Sequence, residues 1–524
     1  MCFAQLTNDI LKCFFEGMDF STKESQVTDK SIKLRDFSSI IELVKSKVLP
    51  LDKLNPIIEI IDGWIKKGDL NLFDKMMSYF ILGHCYNTKR CLTLDPSKAN
   101  YNDSLMWREV FCYRTTLRLV SEVRKRKLIA LYWTAINTMY QALVHLGSVY
   151  DHFGRFQEAQ NLWLQAGHLR YDDYMWRFNI GFSLGSTHGY YERRAEPFVL
   201  AHAQSLLKQY VNKPETTHSA TELYERIKDF KTPDISEDKV VEYEDTEEGL
   251  YNQWVNDNWL RLNSYNDINP HSLISQDDSL YFNSVFSPKQ DPEFGYRIFS
   301  LLNEIKQEYV SARFMLYQYF TNSGTIHFSD KGVRLSDNAD YSHYSYHIEV
   351  AKSSFRALYS LLDKIAYALN EYLGLGVSGM NVSFKDIWYS DKKKRTIRKE
   401  ITNQETVYSL AGLLFIRNDI YGGDEYYLQD EKTLRLKAVR NAMEHRAINV
   451  TDDGVFDDSG IVLNISRTDF EGTAMTLIRT VRQAIFCFVN MVDHIEYNKK
   501  MSIEKAGQLI IPQAVSTIED KDKV

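Results

Sequence analysis

Apolar side chains recur along the first 220 residues at the three- and four-residue intervals of a helix face. Ile57, Ile58, Ile60, Ile61 and Trp64 form one such set, and Phe73, Met76, Met77, Phe80, Ile81 and Leu82 form the next. Farther along, Phe294 to Phe320 carries Ile298, Leu301, Leu302, Ile305, Tyr309 and Phe314 at helical spacing. From Tyr346 a second helical block begins, in which Phe355, Leu358, Tyr359, Leu362, Ile365, Ala366, Leu369 and Leu373 make one stripe. Its third helix is predicted to start at Asp430, a good N-cap residue type, and to run past His445 to about Ile448. Its fourth opens on Thr468 and Glu471 in capping-box spacing and reaches about Tyr497. Gly324 to Leu335 alternates enough to predict a small hairpin. The expected fold class is all-α, ending in an antiparallel helical bundle.

A repeat lies within the first part. Leu146, Gly147, Tyr150, Gly154, Ala159 and Ala166 fall at the spacings of a tetratricopeptide unit, and Ile180 and Gly181 recur 34 residues after Leu146 and Gly147. Small Gly and Ala let paired helices approach closely while large residues fill the space between pairs. The copies are unevenly spaced, and Tyr171 stands where the repeat usually has proline. The expected organisation is a helical-hairpin array over 1–220, an acidic linker over 221–249, a connecting region over 250–345, a helical domain over 346–498 and a tail over 499–524. The linker is inferred from DISEDKVVEYEDTEE, residues 234–248, which follows Pro233.

Composition narrows the partners. The 524 residues are 44% hydrophobic and 25% charged, which is the make-up of a folded protein, and 10 prolines favour long helices. A net charge of −7 excludes a uniformly basic nucleic-acid binder, so any phosphate contact must be local. Two runs offer one: RKRK at 124–127 and KKKRTIRK at 392–399, the second with six basic residues in eight. The six cysteines include no CxxC pair, so no zinc ribbon or disulfide framework is expected. With neither a signal-type N-terminus nor an apolar run of about 18 residues, the expectation is a cytoplasmic chain with no membrane partner.

The chemistry concentrates in Arg440-Asn441-Ala442-Met443-Glu444-His445. On a helix, Leu436, Val439 and Met443 group on one side, while Arg440, Asn441, Glu444 and His445 spread over the other. A guanidinium suits a phosphate because its fork donates two hydrogen bonds and keeps its charge. An imidazole titrates near neutrality and can move a proton, and Asn441 lies one turn from His445, within reach to orient ring or substrate. The plain alternative is a surface helix with an Arg440–Glu444 ion pair. Asp363, at the edge of the 355–373 stripe, would either cap and pair locally or reach the motif to orient Arg440 or His445.

Three other patterns carry less. Gly374, Gly376 and Gly379 spell GxGxxG but follow a helix, where a dinucleotide fold needs a strand. His343 and His347 have no third metal ligand at a convincing spacing. His84, Cys85 and Cys91 read as packing residues.

The segments IKQEYVSARF (305–314), SDKGVRLSDNADYSHYS (329–345), ALYSLLDKIAYALNEYL (357–373) and RNAMEH resemble the HEPN superfamily of all-α ribonucleases and nucleotide-binding domains, in the branch with a helical N-terminal region. The resemblance runs from about 250 to 498. It implies RNA cleavage without metal or other cofactor, in a homodimer that pairs two motif helices across one cleft. Arg440 would bind the scissile phosphate, His445 would act as acid or base and Asn441 would position. Independently, as a local basic run on an acidic chain, Lys392, Lys393, Lys394, Arg395 and Arg398 are expected to guide the RNA. Such an enzyme would be a regulated toxin or antiviral effector, with a protein or peptide partner on the repeats. The alternative from another class is a scaffold or sensor whose C-terminal domain only dimerises or holds nucleotide; superfamily members of that kind generally lack the arginine and histidine, which this chain has.

Overall fold

A computed structural model describes residues 29–523, apart from 96, 100, 102–103, 127–131, 193, 212–217, 236–237, 323, 337–341, 423–430, 453–456, 459 and 507–515. Cys2, Cys13 and Lys127 and the start expected at Asp430 lie outside the described residues.

The N-terminal array contains nine helices among the described residues: α1 (Asp29–Lys45), α2 (Leu54–Lys67), α3 (Leu72–Thr93), α4 (Ser104–Lys125), α5 (Tyr132–His152), α6 (Phe156–Leu169), α7 (Met175–Thr187), α8 (Glu196–Lys208) and α9 (His218–Ile227). Helices α3 and α4, α5 and α6, and α7 and α8 pack as neighbours. Gly147 explains the closeness of one pair: a Cβ there would clash with the Trp163 indole, whose Nε1 donates to Val144 O at 3.1 Å.

Acidic residues 234–248 do not form a free linker. Asp238 accepts hydrogen bonds from Tyr265, Asn269 and Ser272, and the helix α10 (Glu247–Asp257) begins inside the run with Thr246 as its cap. Glu247 and Glu248 suit that position because a helix N-terminus carries partial positive charge. Residues 258–283 have little regular structure yet bury Arg261, Asn263, Asn266, Asp267, Ser272 and Ser275. Arg313 grips Asp278 and Arg482 grips Asp267, so helices from the bundle hold this layer by charge.

The C-terminal bundle comprises α11 (Phe294–Asn322), α12 (Tyr346–Tyr372), the short α13 (Lys399–Thr402), α14 (Tyr408–Tyr421), α15 (Glu431–His445) and α16 (Arg467–Lys505). Helix α11 lies along α12, so the bundle begins well before residue 346. Helix α16 is its axis, with a run from Val481 to Val492 that is buried throughout. Contrary to expectation, that helix is long and apolar enough to cross a membrane, alone among the described residues; its apolar face packs inside the bundle.

Four local expectations are revised. Residues 324–335 contain a 3₁₀ turn at Phe328–Asp330 in place of a hairpin, and Asp330 accepts the Tyr346 N–H at the start of α12. Helix α15 stops at His445, short of Ile448, because the chain turns into a strand at Ala447. Helix α16 is capped by Ser466, which accepts the Asp469 N–H, leaving Glu471 to pair with Arg467 and Tyr319. Its end is Lys505, beyond the expected Tyr497.

Strand structure is slight. A two-stranded hairpin joins β1 (Tyr389–Asp391) to β2 (Thr396–Ile397). A three-stranded sheet, in the order β3-β5-β4, combines β3 (Ala447–Thr451) parallel to β5 (Val462–Ser466) with β4 (Asp457–Asp458) antiparallel to β5. Ile448, Val450, Leu463 and Ile465 alternate inward, which is why a segment resembling a helix tail pairs as strand.

Candidate active site on helix α15

Helix α15 packs against α12, α14 and α16 through Leu436, Val439, Ala442 and Met443, all buried. Arg440 and Asn441 are half-buried, and Glu444 and His445 are exposed. The helix therefore presents the motif on its outer side, with His445 at the C-terminal end, one turn beyond Asn441.

The Arg440 guanidinium lies over the Tyr359 ring of α12, with Cζ 5.4 Å from the centroid, and donates from Nη1 to Asn441 Oδ1 at 3.2 Å. Among the described residues no carboxylate pairs with Arg440 at salt-bridge distance, so the Arg440–Glu444 pair of an ordinary surface helix is not formed. A guanidinium over a ring keeps its charge and its outward donors. A group held in this way is able to meet an anion.

Asp363, one turn beyond Tyr359 on α12, does not touch His445. Its Oδ1 accepts the Phe384 N–H at 2.8 Å. Burial pushes its carboxyl above the usual range, while the Phe384 bond and the charge of Arg440 act in the opposite direction. Asp363 is thus near enough to Arg440 to feel its charge.

Two neighbours were not singled out from the sequence. Arg356 donates from Nη2 to Met443 O at 3.3 Å, capping a terminal carbonyl of α15 and bringing a second cation to the His445 end. Tyr421, the last residue of α14, meets the Tyr359 ring edge-on at 6.2 Å between centroids. Burial raises both phenols, and each hydroxyl perturbs the other. The signal was present in part: Arg356, Tyr359 and Asp363 sit at i, i+3 and i+7, on one side of a helix.

The basic run forms the turn of the β1–β2 hairpin. Lys392, Lys393 and Lys394 are exposed; Lys392 reaches Asp386 at 3.2 Å, and the Lys393 and Lys394 N–H groups donate to Asp391. Arg395 takes a left-handed backbone conformation, φ 51°, at the turn. Arg398 donates from Nε to Ile387 O at 2.8 Å, so it also braces the hairpin. A row of cations and rings connects this hairpin to the motif. Arg417 lies 5.1 Å from the Tyr389 centroid and 5.9 Å from that of Tyr421, which meets Tyr359 beneath Arg440.

Comparison with known families decides what kind of domain surrounds this site. Residues 290–495 match the family model described as LA2681-like HEPN. The C-terminal part of the chain is a HEPN-superfamily domain. No match was found among curated proteins or among solved structures. The matched HEPN segment includes α11, and it contains Asp363, the basic hairpin and the whole of α15.

The other candidates sit apart from one another. His343 faces Asp452 at 2.8 Å and His347 faces Thr325 at 3.4 Å, so the two imidazoles serve different partners. Gly374 and Gly376 take positive φ in the loop after α12, where they end the helix. His84 lies edge-on to His145 at 4.6 Å between ring centroids in the N-terminal core, and burial drives Cys85 up to about 12.

Proposed function

We propose that this HEPN domain is a metal-independent endoribonuclease. The observation that carries the reading is Arg440: a half-exposed guanidinium, seated on the Tyr359 ring, next to Asn441 and one turn from an exposed imidazole. The ribose 2′-OH attacks the adjacent phosphorus, forming the new O–P bond while the bond to the leaving 5′ oxygen breaks. The products are a 2′,3′-cyclic phosphate and a 5′-OH. Arg440 offsets the charge that develops on the phosphoryl oxygens, and the internal nucleophile is already close to phosphorus.

One motif offers a single imidazole, yet the reaction removes one proton and delivers another. A two-fold homodimer through the C-terminal domain supplies the second, with the His445 residues of the two subunits facing one cleft. The Lys392–Arg395 turn guides the strand. An activity of this kind fits a regulated toxin or antiviral effector in the cytoplasm, with the N-terminal array as its sensor or restraint.

The test is incubation of the full chain with RNA in EDTA, beside Arg440→Ala and His445→Ala. Cyclic-phosphate ends that depend on both side chains support the reading; wild-type protein that leaves RNA intact as a dimer, or cleavage that survives both substitutions, rejects it.

A further inference from the structure

Helix α14 belongs to two cores at once. Ala411 and Phe415 pack in the cluster of the N-terminal array, while Leu410, Leu413, Leu414, Ile416 and Ile420 pack in that of the HEPN domain. Ala411, Phe415 and Asp419 are spaced i, i+4 and i+8, so one face of the helix is given to the array. Phe415 meets Trp107 of α4 and Tyr150 of α5 edge-on, at 4.5 and 5.4 Å between centroids.

Asp419 fixes that face electrostatically. Arg114 of α4 donates to both of its carboxylate oxygens, at 2.7 and 2.8 Å, and Arg155, just before α6, donates to Oδ2 at 2.7 Å. Burial opposes the charge, but the two guanidiniums hold the carboxyl below its usual range. At the start of α14 the fit is steric: Gly154 has φ +74°, and a Cβ there would fall 2.6 Å from the Ser409 backbone. The helix is therefore gripped by the array at both ends.

The opposite side of α14 carries Tyr421. Two residues on an α-helix differ by about 200° in direction, so Asp419 and Tyr421 face opposite ways. Tyr421 holds the Tyr359 ring on which Arg440 lies.

We infer that Asp419 and Tyr421 are positioning residues that make the presentation of Arg440 depend on the N-terminal array. Displacing α4 or α5 moves Asp419, which moves α14, which shifts the ring under Arg440. The inference rests on the ribonuclease reading for its kinetic consequence, and on geometry alone for its structural one.

The experiment uses the full chain with Asp419→Asn, Tyr421→Phe and, as control, Lys98→Ala, which removes a surface ion pair with Glu405 between the same two regions. RNA cleavage in EDTA is split into kcat and KM, and hydrogen exchange is followed over residues 431–446. Asp419→Asn is expected to lower kcat about 10- to 100-fold with KM within about two-fold, because the phosphate binder is misplaced and not removed. Tyr421→Phe acts in the same direction with a smaller loss. Exchange over 431–446 should quicken in both and stay unchanged in Lys98→Ala. If Asp419→Asn unfolds, Tyr421→Phe decides. If the wild type does not cleave RNA, the ribonuclease reading fails while the exchange arm still tests the coupling. Unchanged exchange over 431–446 in folded Asp419→Asn and Tyr421→Phe overturns the inference.

Discussion

Arg155 and Arg440 both lie over aromatic rings, and they are held in opposite ways. Arg155 sits 4.4 Å from the Tyr150 centroid and 4.5 Å from that of Phe415, with Glu158 and Asp419 as ion-pair partners. Arg440 has one ring, at 5.4 Å, and the amide of Asn441. The first guanidinium is neutralised on every side, which is what a brace between two cores requires. The second keeps an open charge, which is what an anion site requires. Arginine over tyrosine is thus no signature of function by itself; the supply of carboxylates separates the two cases.

The largest effect should come from the brace. Arg155→Ala leaves Asp419 and Glu158 short of a buried partner, and we expect a loss of about 3–5 kcal/mol in urea unfolding. A loss under about 1 kcal/mol would mean that water replaces the guanidinium there and that the contrast is false. Arg440→Ala should reverse the pattern: stability nearly unchanged, with RNA cleavage down about 10²–10³-fold in kcat. Arg440→Lys should recover little, since a point charge lacks the fork that grips two phosphate oxygens.

Neutralising Lys392, Lys393, Lys394 and Arg395 should weaken RNA binding and flatten its salt dependence, by about 0.7 in log–log slope for each single-strand phosphate that is no longer neutralised. An unchanged slope would reduce the hairpin turn to a solvated loop. The smallest effect concerns pH. Burial, with Lys45 and Arg90 nearby, lowers His145 to about 4, and burial lowers His84 and His152 as well. A histidine kept neutral in the fold contributes stability that is complete above about pH 6.5 and lost as pH falls towards 4. The array should therefore melt at lower temperature in mild acid, and His145→Phe should shrink the difference between pH 7.5 and 5 by a few degrees. An equal difference in both proteins would show that His145 does not titrate on unfolding.

Much of the helical fold was legible because its signal is local. The stripe from Phe355 to Leu369 and the inward set Leu436, Val439 and Met443 face the core as their spacing requires. The small Gly147 lets its paired helix approach closely, as expected, but that Trp163 is the residue lying on it was not read from the spacing. The three-stranded sheet was not legible, because Ala447 to Thr451 follows a helix directly and reads as its tail. The hairpin at 324–335 was expected from alternation alone, yet Ile326, Phe328, Val333 and Leu335 are all exposed, with no buried face for a strand to serve. Asp363 was placed at the edge of the core correctly, but its partner, the Phe384 N–H, lies 21 positions away and leaves no mark in spacing. The ring under Arg440 was hidden for a similar reason. Tyr359 belongs to an apolar stripe, and only the packing of α12 on α15 turns it into a seat for a cation.

The double membership of α14 bears on inheritance and on engineering. A HEPN segment cut out at residue 290 would carry Phe415 and Ala411 to water and leave Asp419 without Arg114 and Arg155. The same segment grafted behind a different array would need a matching notch for Phe415 and two cations for Asp419. A change on the face of α14 that carries Phe415 and Asp419 therefore calls for a matching change on α4 and α5, which receive it.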